Sequence, residues 1–460
     1  MIFLEKKNAL VRDLTRGSIV KTLYRLAIPV MLSNLLQSVY NMVDLAVIGR
    51  YEGSVGLSSV AVGGDILHLF LFIGMGFATA GQIMVSQYVG AGKRAELNSV
   101  IGTLFSFTAM AGLLLSIVGC LGSGLFLSLM NVPDAAREGA YQYTMCCSAG
   151  IILTFGYNTV SAVLRGMGDS RHPMLFIAFA TVLNMLLDVF FIRNFGMGAF
   201  GAALATVIAQ GSSLVLSISY LYRHRGEFGF DFRLRSFRPA KKSLKTILRL
   251  GIPIAIQHSA ASVSGLFVSS HINTYGVVAS AITGVGSKLS SIALIVANAL
   301  NTSGSSVIGQ SFGAGKTDRV KKTVMVIFFS DLVFVSMLSV FILLFPETVF
   351  GLFNKDAAVL EMSHVYAPVA AITFMGFAVR SPSLSLINGL GQSRINFIMG
   401  ITEGIILRIG LAWLLGIALG FGCEGFWYGS AIASYGYGLV VFPYFFSGKW
   451  KNARTVSDAA

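Results

Sequence analysis

Asn34-Leu-Leu-Gln37-Ser-Val-Tyr40-Asn41-Met-Val-Asp44 sits inside the first long apolar stretch of a 460-residue chain. Its polar side chains recur at intervals of three, four and three. A helix turning about 100° per residue gathers Asn34, Gln37, Asn41 and Asp44 into roughly one quadrant. The flanking runs, 26–32 and 45–48, carry no charge. On a bilayer-spanning helix, this places a carboxylate on a hydrated stripe within the membrane, a costly arrangement that by default marks an ion or substrate path. The plainer alternative is a structural Asp that satisfies a neighbouring helix, and three aligned amides weigh against it.

Composition sets the class. The chain is 55% hydrophobic and 12% charged, with a mean hydropathy of +0.74. A soluble protein needs about twice that charged fraction to cover its surface. Apolar segments of about 20 residues or more, enough to cross a hydrocarbon core of about 30 Å, recur from end to end. Twelve spans are expected, at about 22–48, 57–87, 96–130, 136–163, 171–193, 196–222, 245–272, 276–311, 320–353, 357–388, 393–420 and 422–447. Residues 1–21 are polar and basic and lead into a full span, so no cleavable leader is expected. Cys120, Cys146, Cys147 and Cys423 lack metal-site or CxxC spacing and read as small core residues.

The net charge of +14 points to topology. With both termini on one side, 27 of the 34 Lys and Arg fall on that side, nine of them between Arg223 and Arg249. This bias is the positive-inside rule; it predicts cytoplasmic termini and excludes a nucleic-acid site.

The chain repeats itself. Leu26-Ala-Ile-Pro29 returns as Leu250-Gly-Ile-Pro253, Gln87-Tyr-Val-Gly90-Ala-Gly92-Lys93 as Gln310-Ser-Phe-Gly313-Ala-Gly315-Lys316, and Arg165-Gly-Met-Gly-Asp-Ser-Arg171 as Asn388-Gly-Leu-Gly-Gln-Ser-Arg394, at offsets of 224, 223 and 223. A duplicated unit with an even number of spans enters the membrane twice in one orientation, so its pseudo-twofold runs along the membrane normal. The expected organisation is a cytoplasmic segment 1–21, an N-lobe 22–222, a basic linker 223–244, a C-lobe 245–447 and a cytoplasmic tail 448–460. The linker is able to meet anionic lipid headgroups, though topology alone accounts for its charge.

Two signals are set aside. Gly313-Ala-Gly315-Lys316-Thr317 looks like the end of a phosphate loop, but Gln310 stands where that motif needs Gly. His68, His258, His271 and His364 lack metal spacing, and no catalytic triad motif stands out.

Further intramembrane polar groups gather in the first half. Thr181, Asn184 and Asp188 share a face of the fifth span, and Thr206 and Gln210 are a turn apart on the sixth. With Asp44 they offer oxygen ligands suited to Na⁺, or carboxylates withdrawn from water and suited to H⁺. The second half has Val268 or Phe267 where the first has Asp44, and its charges are Lys288, Asp331, Arg380, Glu403 and Arg408. Glu403 and Arg408 are five apart, awkward for a pair on one α-helix, so Arg380 is the expected partner of Glu403. Arg380, Glu403 and Arg408 read as a structural ionic cluster.

These residues resemble the multidrug and toxic compound extrusion family, and within it the DinF-like branch. The matches are Pro29 followed by Asp44 in Val-Asp-Leu-Ala-Val-Ile-Gly49, Gln87 to Gly92, Arg165-Gly-Met-Gly-Asp169 and Asn184-Met-Leu-Leu-Asp188, within a likeness covering about 20–447. The resemblance implies an all-α membrane protein of two six-helix lobes around a central cavity that opens alternately to each side. It also implies cation-coupled export of amphipathic, often cationic compounds, with the cation site at Asp44, Asn184, Asp188 and Thr206. The NorM-like branch places an essential Glu in span seven, where this chain has Ala261.

The expectation is therefore a multi-pass inner-membrane antiporter driven by H⁺ or Na⁺, with no other cofactor. Asp44 and Asp188 are the coupling carboxylates, Asn184 and Thr206 neutral ligands of H⁺ or Na⁺, and Asn34, Gln37, Tyr40, Asn41 and Gln210 line the substrate cavity. Expected partners are small organic molecules and membrane lipids, the chain acting as a monomer. The alternatives are a flippase for a lipid-linked precursor, which calls for a strongly cationic cavity, and an integral membrane enzyme, which calls for a catalytic set not found in the sequence.

Overall fold

A computed structural model describes residues 11–130 and 132–459, and among these it is helical throughout its regular elements. The first helix, α1 (Ile19–Gly90), has 72 residues. At 1.5 Å per residue its axis runs about 108 Å, more than three times a hydrocarbon core, so it holds two spans. They part at Gly53, whose φ of 64° and ψ of −152° suit a residue without Cβ. The sequence suggested a loop between the first two spans; the helix instead turns on this one residue.

Then follow α2 (Arg94–Leu129), α3 (Asp134–Gly166), α4 (Arg171–Asp188) and α5 (Gly198–Arg223). The second half repeats the order with α6 (Lys241–Asn273), α7 (Val277–Gly313), α8 (Thr317–Leu344) and α9 (Ala357–Leu390). Its eleventh span is built from α10 (Ser393–Ile401), a π-helical stretch Thr402–Leu407, α11 (Arg408–Trp413) and a second π-helical stretch Leu414–Ala418. The twelfth is broken into α12 (Gly422–Ala433) and α13 (Gly436–Phe446). Ten helices are individually long and apolar enough to cross a membrane. With α1 counted twice and the broken last pair added, the described chain contains the twelve expected spans.

The repeat is deeper in the backbone than in the side chains. Gly53, Gly92, Gly168, Gly196 and Gly198 all take positive φ, as do Gly276, Gly315, Gly391, Gly420 and Gly422 at offsets of 223 or 224. The π-helical stretch Val189–Asn194 after α4 likewise matches Leu414–Ala418. Duplication has preserved the places where the chain bends, whereas most side chains between them have diverged.

The chain forms two compact units, one of Ile28–Ala255 with residues 11–14, the other of Thr15–Ala27 with Ile256–Ala459. Both divisions fall beside the repeated prolines, Pro29 and Pro253. Within the first unit, Ile48, Val60, Tyr143, Ile151, Phe155 and Ala202 form a buried core. Small residues bring its helices close: a Cβ on Gly112 of α2 would lie 3.1 Å from Ile152 Cα of α3. Apolar lipid gives little drive to helix association, so such close packing and interhelical hydrogen bonds hold the unit together.

The basic connection after α5 is docked, not free. Asp231 N–H donates to Asn98 Oδ1 at 3.3 Å, Ala240 N–H to Thr103 Oγ1 at 3.0 Å, and Ser106 Oγ to Phe237 O. Phe230 packs edge-on against Phe105 at 5.6 Å. The Ser236 hydroxyl and then the Arg233 backbone N–H hold the Asp231 carboxyl below its usual range. The Gly-rich copies are helix ends, as the sequence indicated, and Lys316 there donates to the carbonyl and hydroxyl of Thr15 at 3.0 and 2.9 Å.

Candidate functional site

In the first unit, the first, fourth, fifth and sixth spans bring a set of polar groups together. Asp44 is 5% exposed, Asp188 fully buried and Asn184 1% exposed. The Asp44 and Asp188 carboxyls face each other within hydrogen-bonding reach. Oδ1 of Asp44 and both oxygens of Asp188 meet no N–H or O–H of another residue. Two carboxyls bond each other only when they share a proton; otherwise their charges repel, and a cation between them removes the repulsion.

Neutral groups surround this pair. Tyr40 Oη lies 3.3 Å from Thr206 Oγ1, and Asn184 Nδ2 donates to the same hydroxyl at 3.5 Å. Asn184 Oδ1 and Gln210 Oε1 are buried without a donor. Tyr143 and Cys147 of α3, hydrogen-bonded to each other, lie close enough to interact electrostatically with Asp44. Buried acceptors without donors are expensive in a dry interior. At the facing carboxyls of Asp44 and Asp188 the need is for a proton or a small cation.

The stripe read from the sequence divides along its length. Tyr40 and Asp44 turn into the unit, whereas Gln37 and Asn41 are exposed and Asn34 is half-buried. Asp44 stands at the edge where the exposed amides meet the buried carboxyl pair. Thr181 is buried on the same helix as Asn184 and Asp188. Sequence reading missed Tyr143 and Cys147, since a Tyr and a Cys one turn apart in an apolar helix give no signal by themselves. It also missed the π-helical stretch that starts directly after Asp188. Such wide turns occur often at functional sites.

The corresponding place in the second unit is apolar. Val268 stands at the Asp44 position, and the Asp188 position falls on Leu411 or Ala412. Its charges are arranged differently from expectation. Glu403 forms its salt bridge with Arg408, and Arg380 reaches Glu403 only through a longer-range electrostatic interaction. The π-helical winding of Thr402–Leu407, absent from the first half, gives over four residues per turn and brings positions five apart onto one face. Arg380 instead lays its guanidinium over the Tyr437 ring at 5.5 Å, and Gln257 Nε2 donates to the Tyr437 hydroxyl at 3.2 Å. Among the described residues no group of three or more His, Cys, Asp and Glu is placed to hold a metal. His271 Nδ1 contacts Phe267 O at 2.9 Å, and His364 Nε2 contacts Glu347 at 2.9 Å.

Comparison with known proteins agrees with this architecture. The MatE family model matches twice, at residues 29–190 and 253–414, once in each half. The chain is 28% identical to the probable multidrug resistance protein YpnP of Bacillus subtilis, over 97% of this chain and 99% of that one. It is 25% identical to the probable multidrug resistance protein NorM of Thermotoga maritima, over 95% and 94%. Among solved structures, the fold matches a MATE transporter in the straight conformation with a TM-score of 0.88, at 21% identity, over 97% of this chain and 100% of that one. The doubled match, the twelve spans and the full-length likeness lead to one conclusion: the chain belongs to the MatE family of multi-pass multidrug efflux transporters and is not an enzyme.

Proposed function

We propose that the protein is an antiporter of the inner membrane that exports amphipathic, often cationic organic compounds in exchange for H⁺ or Na⁺, as a monomer with both termini in the cytoplasm. The observation that carries this reading is the facing pair Asp44–Asp188, buried in the first unit, where Asp44 Oδ1 and both Asp188 oxygens meet no donor among the described residues. The pair holds one positive charge most readily, either a proton shared between the carboxyls or a Na⁺ among their oxygens and those of Asn184 and Thr206. Emptying the site leaves two close negative charges.

Exchange requires that ion and substrate favour different states of one element. Asp44 satisfies the geometric need. It joins the ion pair on its buried side and borders the exposed amides Gln37 and Asn41, where a substrate is expected to bind. An ion entering the pair changes the charge at the edge of that surface, and a bound organic cation changes the affinity for the ion. The flippase alternative calls for a strongly cationic cavity, and of its three candidates Arg408 is paired with Glu403, Arg380 faces Tyr437 and only the exposed Lys288 is left to serve it.

The test is uptake of ethidium into inside-out vesicles with a pH gradient and a Na⁺ gradient imposed separately. Uptake driven by one gradient is expected, and equal uptake with neither gradient would contradict coupling.

A further inference from the structure

The basic connection after α5 is fixed at a definite depth along the first unit. With 36 residues, α2 is about 54 Å long, well beyond a hydrocarbon core of about 30 Å. Its large exposed apolar side chains begin at Met110 and run to Leu129. Those 20 residues cover about 30 Å of axis, one whole core thickness. From Val100 to Thr108 no residue of α2 is exposed, and the connection lies against this stretch. Asn98 Nδ2 adds a bond to Ser236 Oγ at 3.3 Å. The docked segment thus sits one to three turns beyond the lipid-facing belt, where the headgroups begin.

The same level is marked on α5. Val215, Ile218 and Tyr222, three and four residues apart, share one exposed face that Tyr222 ends. Tyrosine at the end of such a face is characteristic of the membrane interface. The Arg225 guanidinium lies over the Tyr222 ring at 4.9 Å, and Phe232 of the connection packs edge-on against that ring at 5.6 Å. Phe232 has a φ of 54°, the one positive value outside glycine among the described residues. A residue with Cβ keeps such a backbone only where its surroundings hold it. Here the ring is held among Tyr222, Phe228 and Phe230. The residues that follow, Arg233, Leu234 and Arg235, all face outward, and Leu234 is 90% exposed.

A leucine fixed in water between two arginines gains nothing. At a lipid surface its side chain reaches acyl chains while the arginines meet phosphates. From Arg223 to Arg249 there are nine Lys and Arg against two acids, Glu227 and Asp231. Asp231 lies 3.9 Å from Arg233 Nε, and the described residues give Arg225 and Arg235 no ion pair. Topology calls for positive charge on this side, but not for arginines fixed around an exposed leucine. We propose that the docked connection binds anionic phospholipid of the adjoining leaflet, with Arg225, Arg233 and Arg235 on headgroup phosphates and Leu234 among the upper acyl chains. The charge bias assigns that leaflet to the cytoplasm.

The test is native mass spectrometry of the full chain, titrated in detergent with phosphatidylglycerol or phosphatidylcholine. The wild type should bind phosphatidylglycerol several-fold more tightly. Arg225→Gln/Arg233→Gln/Arg235→Gln should bring the two lipids to equal affinity. Lys449→Gln/Lys451→Gln/Arg454→Gln removes as much charge from exposed positions of the tail and should keep the preference. Excess inorganic phosphate should not displace the lipid. A second measurement places a photoreactive benzophenone side chain at Leu234 in phosphatidylglycerol liposomes, where illumination should attach a lipid. A preference that survives the linker substitutions, falls equally in the tail variant or yields to free phosphate would overturn the proposal, as would a position 234 that gains no lipid. If the linker variant does not insert, the adduct at 234 decides the matter. No transport is read, so the result stands apart from the export reading.

Discussion

Glu403 and Arg408, five residues apart, form an ion pair along one span because the backbone between them winds as a π-helix. Glu403 is almost wholly buried and Arg408 about one-fifth exposed. Replacing Glu403 with Gln leaves a guanidinium without its counter-charge inside the membrane, and breaking such a pair costs about 3–5 kcal/mol. The expected result is a lower yield and a lower unfolding temperature in detergent, with ethidium transport per folded molecule retained. A stable Glu403→Gln protein that binds ethidium but ignores the ion gradient would move the coupling site to the second unit.

The linker prediction rests on one glycine. A Cβ on Gly102 would lie 1.8 Å from the Ser236 carbonyl oxygen. Gly102→Ala should therefore lift the connection off α2 and free its backbone, so that trypsin cuts faster after Arg233 and Arg235, whose side chains are already exposed, while the spans stay intact. Unchanged cleavage would show that the docking yields without loss.

The same connection carries a pH dependence with a definite sign. The folded Asp231 carboxyl titrates below its unfolded value, held there chiefly by the Ser236 hydroxyl. Its contribution to docking is present above the unfolded carboxylate range and is lost as pH falls through the folded value. Hydrogen exchange at Arg233, corrected for the intrinsic pH effect, should quicken over that acid window in the wild type but not in Asp231→Ala.

Thr206 takes part in two contacts, with Tyr40 and with Asn184. Thr206→Val keeps the shape and removes the hydroxyl. Losing a buried hydrogen-bonding group of this kind costs about 1–2 kcal/mol, so the coupling ion should bind roughly tenfold more weakly. Ion affinity measured through gradient-driven ethidium transport checks this, and an unchanged affinity would remove Thr206 from the site.

The charge bias predicts the topology. A reporter active only outside the cytoplasm should be silent when fused within residues 223–243 and active within 131–135. The reverse pattern would overturn the placement of both termini.

Much of this molecule was legible because membrane spans are long and uniform. Apolar length gave the twelve spans, and three motif pairs gave the duplication. The spacing of Thr181, Asn184 and Asp188 placed all three on one buried face, since an α-helix keeps its period there. Where the period changes, sequence spacing misleads. Glu403 and Arg408 looked mismatched because their partnership depends on a π-helical turn that no residue pattern announces. Gly53 looked like part of a loop, and only the backbone shows a helix bending on a single residue. Tyr143 stands alone in apolar surroundings, so its neighbours become visible only once other helices are packed against it.

The central claim is that Asp44, facing Asp188, couples ion to substrate. Asp44→Asn keeps the size of the side chain, removes its charge and should still insert, since a neutral amide is cheaper than a charge within the membrane. The direct measurement is ethidium transport by purified protein in liposomes, per inserted molecule, under imposed pH and Na⁺ gradients, with the exposed Asp65→Asn as control. Gradient-driven transport should be lost in Asp44→Asn and largely retained in Asp65→Asn. Wild-type rates from Asp44→Asn would contradict the account.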